Sequence, residues 1–142
     1  MWFRKKDFDV SMPREAYRKS EWDISVQIDY LPLYDFVSVS GKTHNLKKFD
    51  FATAIANNIR GDSAVLMEFG DIDKEDEISS AMAAGSSIIA VRRRLPLDRQ
   101  MVVVGSERIM DYVRVLRLDG FRSISYYREL KTAMTSLVKA RQ

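Results

Sequence analysis

Two short apolar runs, Ala64-Val65-Leu66-Met67-Glu68-Phe69 and Met101-Val102-Val103-Val104, flank a long segment of helical character. A strand that is apolar at almost every position has to be covered on both faces. Two such strands joined through a helix pair in parallel, by a right-handed crossover. The runs therefore point to an α/β sheet with helices packed against it.

The rest of the chain fills in around them. Trp22-Asp23-Ile24-Ser25-Val26-Gln27-Ile28-Asp29-Tyr30 alternates apolar and polar residues, the period of a half-buried strand. Leu31-Pro32 breaks the alternation, and Phe36-Val37-Ser38-Val39-Ser40 forms a second strand ended by Gly41. Their close spacing predicts antiparallel neighbours. Phe49, Ala52, Ile55, Ala56 and Ile59 recur at helical spacing, and Gly61 stands where a C-terminal glycine belongs, so the pattern predicts a helix over 46–60.

After the first apolar run comes an acidic turn, Gly70-Asp71-Ile72-Asp73-Lys74-Glu75-Asp76-Glu77. A long helical segment follows, carrying Ile78, Met82, Gly85, Ile89 and Leu95 and closed by Pro96. Ser106 suits the N-cap of a third helix with Ile109, Met110, Val113 and Leu116, which stops before Gly120. Ile124-Ser125-Tyr126 predicts a short last strand, and 129–139 a final helix with Leu130, Ala133, Met134 and Leu137 on one face. The order is β-β-α-β-α-β-α-β-α, giving a mixed sheet of roughly five strands with about four helices.

At 142 residues the chain is the size of one domain, expected over residues 21–142. Residues 1–20 read as an N-terminal appendage. It mixes the aromatics Trp2, Phe3, Phe8 and Tyr17 with Arg4, Lys5, Lys6, Arg14, Arg18 and Lys19. Two roles suit it: a tail that packs its aromatics on the domain, or a docking arm for a partner or an anionic membrane surface.

There are no cysteines, which excludes disulfides, thiolate zinc sites and cysteine nucleophiles and fits a reducing compartment. No apolar run approaches the roughly 20 residues that span a bilayer. The start, Met1-Trp2-Phe3-Arg4-Lys5-Lys6, lacks the apolar core of a signal peptide, so a cytoplasmic location is expected. The net charge is +3, with basic residues spread along the chain rather than gathered on one face, which argues against nucleic-acid binding. The run Arg92-Arg93-Arg94 ends a helix that acids begin, and both suit the helix dipole.

Recognisable catalytic chemistry is sparse. His44 is the only histidine, so a histidine pair for acid/base work or metal binding is excluded, and it reads as a loop or capping residue. The glycine-rich phosphate loops and the G-x-S-x-G elbow are absent. Asp71, Asp73, Glu75, Asp76 and Glu77 offer hard oxygen ligands for Mg²⁺ or Ca²⁺, but their spacing does not match an EF-hand. A solvated helix N-terminus accounts for the same residues. No cofactor and no metal site is expected. Ser79-Ser80, just beyond the acidic turn, serve either as solvated first-turn residues or as phosphoacceptors.

Several local patterns, taken in order over roughly residues 24–138, resemble the STAS domain, the fold of the anti-sigma factor antagonists. Phe36-Val37-Ser38-Val39-Ser40-Gly41 is similar to the family's second strand, and Ala64 to Gly70 to its central strand. Met101-Val102-Val103-Val104-Gly105 resembles the strand before its third helix, and Leu118-Asp119-Gly120-Phe121 its leucine-x-glycine turn. The segment from Ile124 to Met134 resembles its closing strand and helix. In that family the loop after the central strand carries a serine or threonine that a partner kinase, itself an anti-sigma factor, phosphorylates. The resemblance places Ser79 there, and Ser80 next. Ile78 stands near the family's aspartate and Ala81 replaces its glycine.

The resemblance implies a non-catalytic regulatory module. Its surface near 41–46 and 71–83, including His44, Asn45, Asp73, Ile78 and Met82, would bind a protein partner such as an anti-sigma kinase. Phosphorylation of Ser79 or Ser80 would release that partner. The alternative is a constitutive structural subunit of a larger signalling or membrane-associated transport assembly, with a homodimer also compatible. A small enzyme with an acidic metal site is the third reading.

Overall fold

The structure, a computed structural model, describes residues 16–21, 24–41, 50–72, 77–118 and 123–141. In chain order these form β1 (Ala16–Glu21), β2 (Ile24–Tyr30), β3 (Tyr34–Gly41), α1 (Phe51–Asn58), β4 (Ala64–Ile72) and α2 (Glu77–Arg94). β5 (Met101–Val104), α3 (Glu107–Leu118), β6 (Ile124–Tyr127) and α4 (Leu130–Arg141) complete the fold. The strands make one six-stranded sheet in sequential order, β1 to β6. β1–β2 and β2–β3 are antiparallel, and β3 through β6 run parallel.

Sequential parallel strands joined by crossovers of one hand place all the connecting helices on one side. Accordingly α1, α2 and α3 share a face, burying Ile55, Ile88 and Val113 against Val26, Val37, Val65, Met67 and Val103. α4 packs on the opposite face, setting Ala133 and Leu137 against Leu66, Val102 and Val104. The alternate residues of β4 and β5 thus enter two different cores, which is why those strands are apolar throughout. α4 lies over β4, β5 and β6. On the same side, β2 turns Ser25 to solvent and leaves Gln27 and Asp29 half-exposed, hence its strict alternation.

The sheet has one strand more than the sequence pattern suggests. The extra strand is β1, drawn from the segment read as an appendage. It pairs with β2 from Ala16↔Asp29 to Glu21↔Ile24 and forms one edge of the sheet. Tyr17 is its contact with the core. Arg18, Lys19 and Glu21 are exposed charges of the kind that protect an edge from unwanted pairing. A second correction concerns Gly70-Asp71-Ile72, read as part of a turn. β4 continues through them, and its register against β3 shifts between Ser38 and Ser40, so that Ser40 faces Asp71 and Gly41 faces Ile72. The shift inserts one extra residue in β4, as a bulge does.

The buried stripe of α2 keeps Gly85 and Leu95, just past its end, from the predicted one and departs from it at Met82 and Ile89. Ala84, Ile88, Val91 and Leu95 are buried, whereas Met82 is 56% exposed and Ile89 only partly covered. In α1, Phe51 and Ile55 face the core, Asp50 caps the N-terminus, and Gly61 beyond its end has φ +86°. The cap is a hydrogen bond from the Thr53 amide to the Asp50 carboxylate at 3.1 Å.

Candidate functional site

The two ends of the parallel strands are built differently. At their amino ends the structure is tied by two buried polar side chains. Asp35, at the start of β3, has no exposed surface. Its carboxylate accepts from the Arg60 amide at 2.8 Å and from the Arg60 guanidinium, which also donates to the Leu31 carbonyl. This joins the β2–β3 hairpin to the link between α1 and β4. Burial pushes the Asp35 carboxyl above the usual carboxylate range, while Arg60 pulls it back.

Arg92, 4% exposed near the end of α2, donates to the carbonyls of Leu95, Pro96, Arg99 and Ser123. It holds the turn entering β5 against the residue entering β6, Ser123, whose φ is +66°. Arg94 donates to the Ala56 carbonyl at 3.2 Å. Two members of the arginine run are therefore used in structural hydrogen bonds, consistent with a helix-end role for it.

At the carboxyl ends, the strands lead into the starts of helices. β3 finishes at Gly41 and β4 at Ile72, and α2 begins at Glu77. Ser79 and Ser80 are the third and fourth residues of α2, and Ile78 the second. The first four amides of a helix lack partners within it, and the dipole there favours negative charge. Met82, in the next turn, presents an exposed thioether. The neighbouring β5–α3 turn is pinned by Tyr126, whose hydroxyl donates to the Gly105 carbonyl at 2.6 Å, with the Ser106 carbonyl 3.1 Å away. Burial raises the pKa of that hydroxyl.

Of the residues singled out from sequence, Ser79, Ser80, Ile78 and Met82 thus lie together on the first turns of α2. His44, Asn45 and Asp73 lie outside the described residues. So do Glu75 and Asp76 of the acidic turn, while Asp71 falls in β4 and Glu77 opens α2. Among the described residues, no three His, Cys, Asp or Glu side chains are grouped to hold a metal ion. No helix of the described residues is long and apolar enough to cross a membrane.

One feature escaped the sequence pattern: an apolar groove between the start of β3 and α4, lined by Tyr34, Leu130, Met134 and Val138. Leu130 and Met134 carry the helical periodicity of a core face. The covalent neighbour of Leu137, Val138, widens that face beyond what the sheet covers.

No family model matches the chain, and no curated protein sequence matches it. Its fold is nevertheless shared. The chain is similar to the crystal structure of an anti-sigma factor antagonist from Mycobacterium paratuberculosis, with a TM-score of 0.57 at 17% identity. The likeness covers 84% of this chain and 99% of that one. The fold is STAS-like: a mixed α/β sheet with helices on both faces.

Proposed function

We propose that the chain is a non-catalytic regulatory module that binds a protein partner through the carboxyl end of its parallel strands. The surface comprises the end of β4 and the first turns of α2. The observation that carries the reading is the position of Ser79 and Ser80. They are the third and fourth residues of the helix that follows the central strand, three and two residues before an exposed methionine. Methionine is a flexible, polarizable contact residue suited to a protein interface. A phosphate on either serine would bring roughly two negative charges into that interface. The helix amides favour the charge, whereas an apolar contact across Met82 does not. The modification therefore releases the partner.

We assign an anti-sigma factor as the partner, with its own kinase activity supplying the phosphate. The structural neighbour, an anti-sigma factor antagonist, supports this choice of partner class. A cytoplasmic setting goes with that partner. The sequence assigns His44, Asn45 and Asp73 to the same contact, and they lie outside the described residues.

The test is capture from lysate of the source organism with wild type, Ser79→Asp and Ser80→Asp, the bound proteins being identified by mass spectrometry. The reading expects an anti-sigma kinase held by wild type and lost by at least one variant. A multi-protein assembly held equally by all three would instead identify a constitutive subunit. The serines would then be ordinary helix-start residues.

A further inference from the structure

The groove beside α4 is open, apolar and unaccounted for by the partner surface, which lies at the sheet's carboxyl end. It has a volume of about 620 Å³ and is lined by Tyr34, Leu130, Lys131, Met134, Thr135 and Val138. Val138 is 40% exposed within it. The groove forms where α4, which lies over β4 to β6, meets the start of β3 at Tyr34, a residue buried in the same cluster as Ala133 and Leu137.

The strand register shows what reaches it. Ala16, the first residue of β1, is opposite Asp29, and Asp29 is opposite Phe36, two residues beyond Tyr34. Strands about 4.8 Å apart and a rise of about 3.4 Å per residue put Ala16 roughly 12 Å from Tyr34. About four extended residues cross that gap. Ala16, Asp29, Phe36 and Tyr34 also belong to the alternate set that faces the α4 side of the sheet. Ala16, where β1 begins, therefore stands at the groove's end and on its side of the sheet.

That preceding stretch, residues 1–15, contains Trp2, Phe3, Phe8, Val10 and Met12. We propose that residues 1–15 dock into the groove of their own chain, placing aromatic side chains against Met134 and Val138. A tether this short holds the segment at an effective concentration in the millimolar range, so weak apolar contact suffices. A second copy is the poorer occupant, because it lacks this tether and binds only at its own concentration.

The chain has two tryptophans, Trp2 and Trp22. In full-length Trp22→Phe protein, Trp2 fluorescence reports its surroundings alone. The proposal expects acrylamide quenching several-fold weaker than for a free peptide of residues 1–15, at every protein concentration. Val138→Asp should restore peptide-like quenching with little change in Tm, because Val138 is part-exposed. Met134→Asp serves as the second variant. Quenching equal to the free peptide's in the parent protein overturns the proposal. So does protection that grows with protein concentration, which would seat a second copy in the groove. Protection insensitive to both aspartate variants overturns it as well, since the segment would then lie elsewhere.

Discussion

Asp35 and Arg92 are each tied to a group distant in sequence, Arg60 and Ser123, and each sets a different demand on the fold. Burial raises the Asp35 pKa against the pull of Arg60. The folded chain therefore holds a proton there more tightly than the unfolded chain does. That contribution to stability is complete below the ordinary carboxylate range and is lost as pH rises through the raised value. In chemical denaturation at a series of pH values, the stability of wild type minus that of Asp35→Asn should fall across this window. A difference that grows with pH would mean that Arg60 outweighs burial. Arg92 makes a simpler prediction. Arg92→Met leaves four carbonyls without their donor and should cost on the order of 3 kcal/mol. Urea denaturation measures it, and a loss below about 1 kcal/mol would mean that water replaces the guanidinium. Neither cluster was legible in the sequence, because a lone Asp in a strand and an Arg in a basic run look like solvent-facing residues. Gly61 and Asp50 act within a few residues of themselves; the sequence pattern marked the glycine.

Among the elements, α2 shows where periodicity loses information. Its covered side includes Ala84, Gly85, Ser87 and Arg92, so it carries little apolar contrast. The reason for small residues is the approach of α3. A Cβ on Gly85 would lie 2.3 Å from the Tyr112 ring. Gly85→Ala should therefore destabilise by about 1–3 kcal/mol despite alanine's better helix propensity. In a Tyr112→Ala background that cost should shrink or reverse. A double-mutant cycle by urea denaturation measures the coupling, and strictly additive effects would contradict the contact. β1 was hidden for a related reason: an edge strand with Tyr17 alone packed on the core has no alternation to read. β2, β4 and β5 lie in the sheet interior, and their burial wrote itself into the sequence as alternation or continuous apolarity.

For the whole molecule, the parallel order of β3 to β6 followed from the apolar runs and the alternation of strands with helices, and the crossover rule then put α1, α2 and α3 on one face; α4 joins no two strands and takes the other. The serine pair's place after the central strand was legible for the same reason. The groove was not, because it depends on how far α4 extends over the sheet. The proposed partner surface and the buried polar ties lie at opposite ends of the strands. Buried Asp35 and Arg92 lock the amino ends, and the carboxyl ends carry Ser79, Ser80 and Met82. Partner binding should therefore be separable from stability. Met82→Asp should weaken the partner contact while leaving Tm nearly unchanged, because Met82 is more than half exposed. The most direct test of the account is titration calorimetry of the purified anti-sigma factor partner against wild type, Ser79→Asp and Ser80→Asp. The account predicts that at least one aspartate variant binds roughly fivefold or more weakly, a loss of about 1 kcal/mol. Equal affinity for all three proteins would contradict it and move the partner surface away from the start of α2.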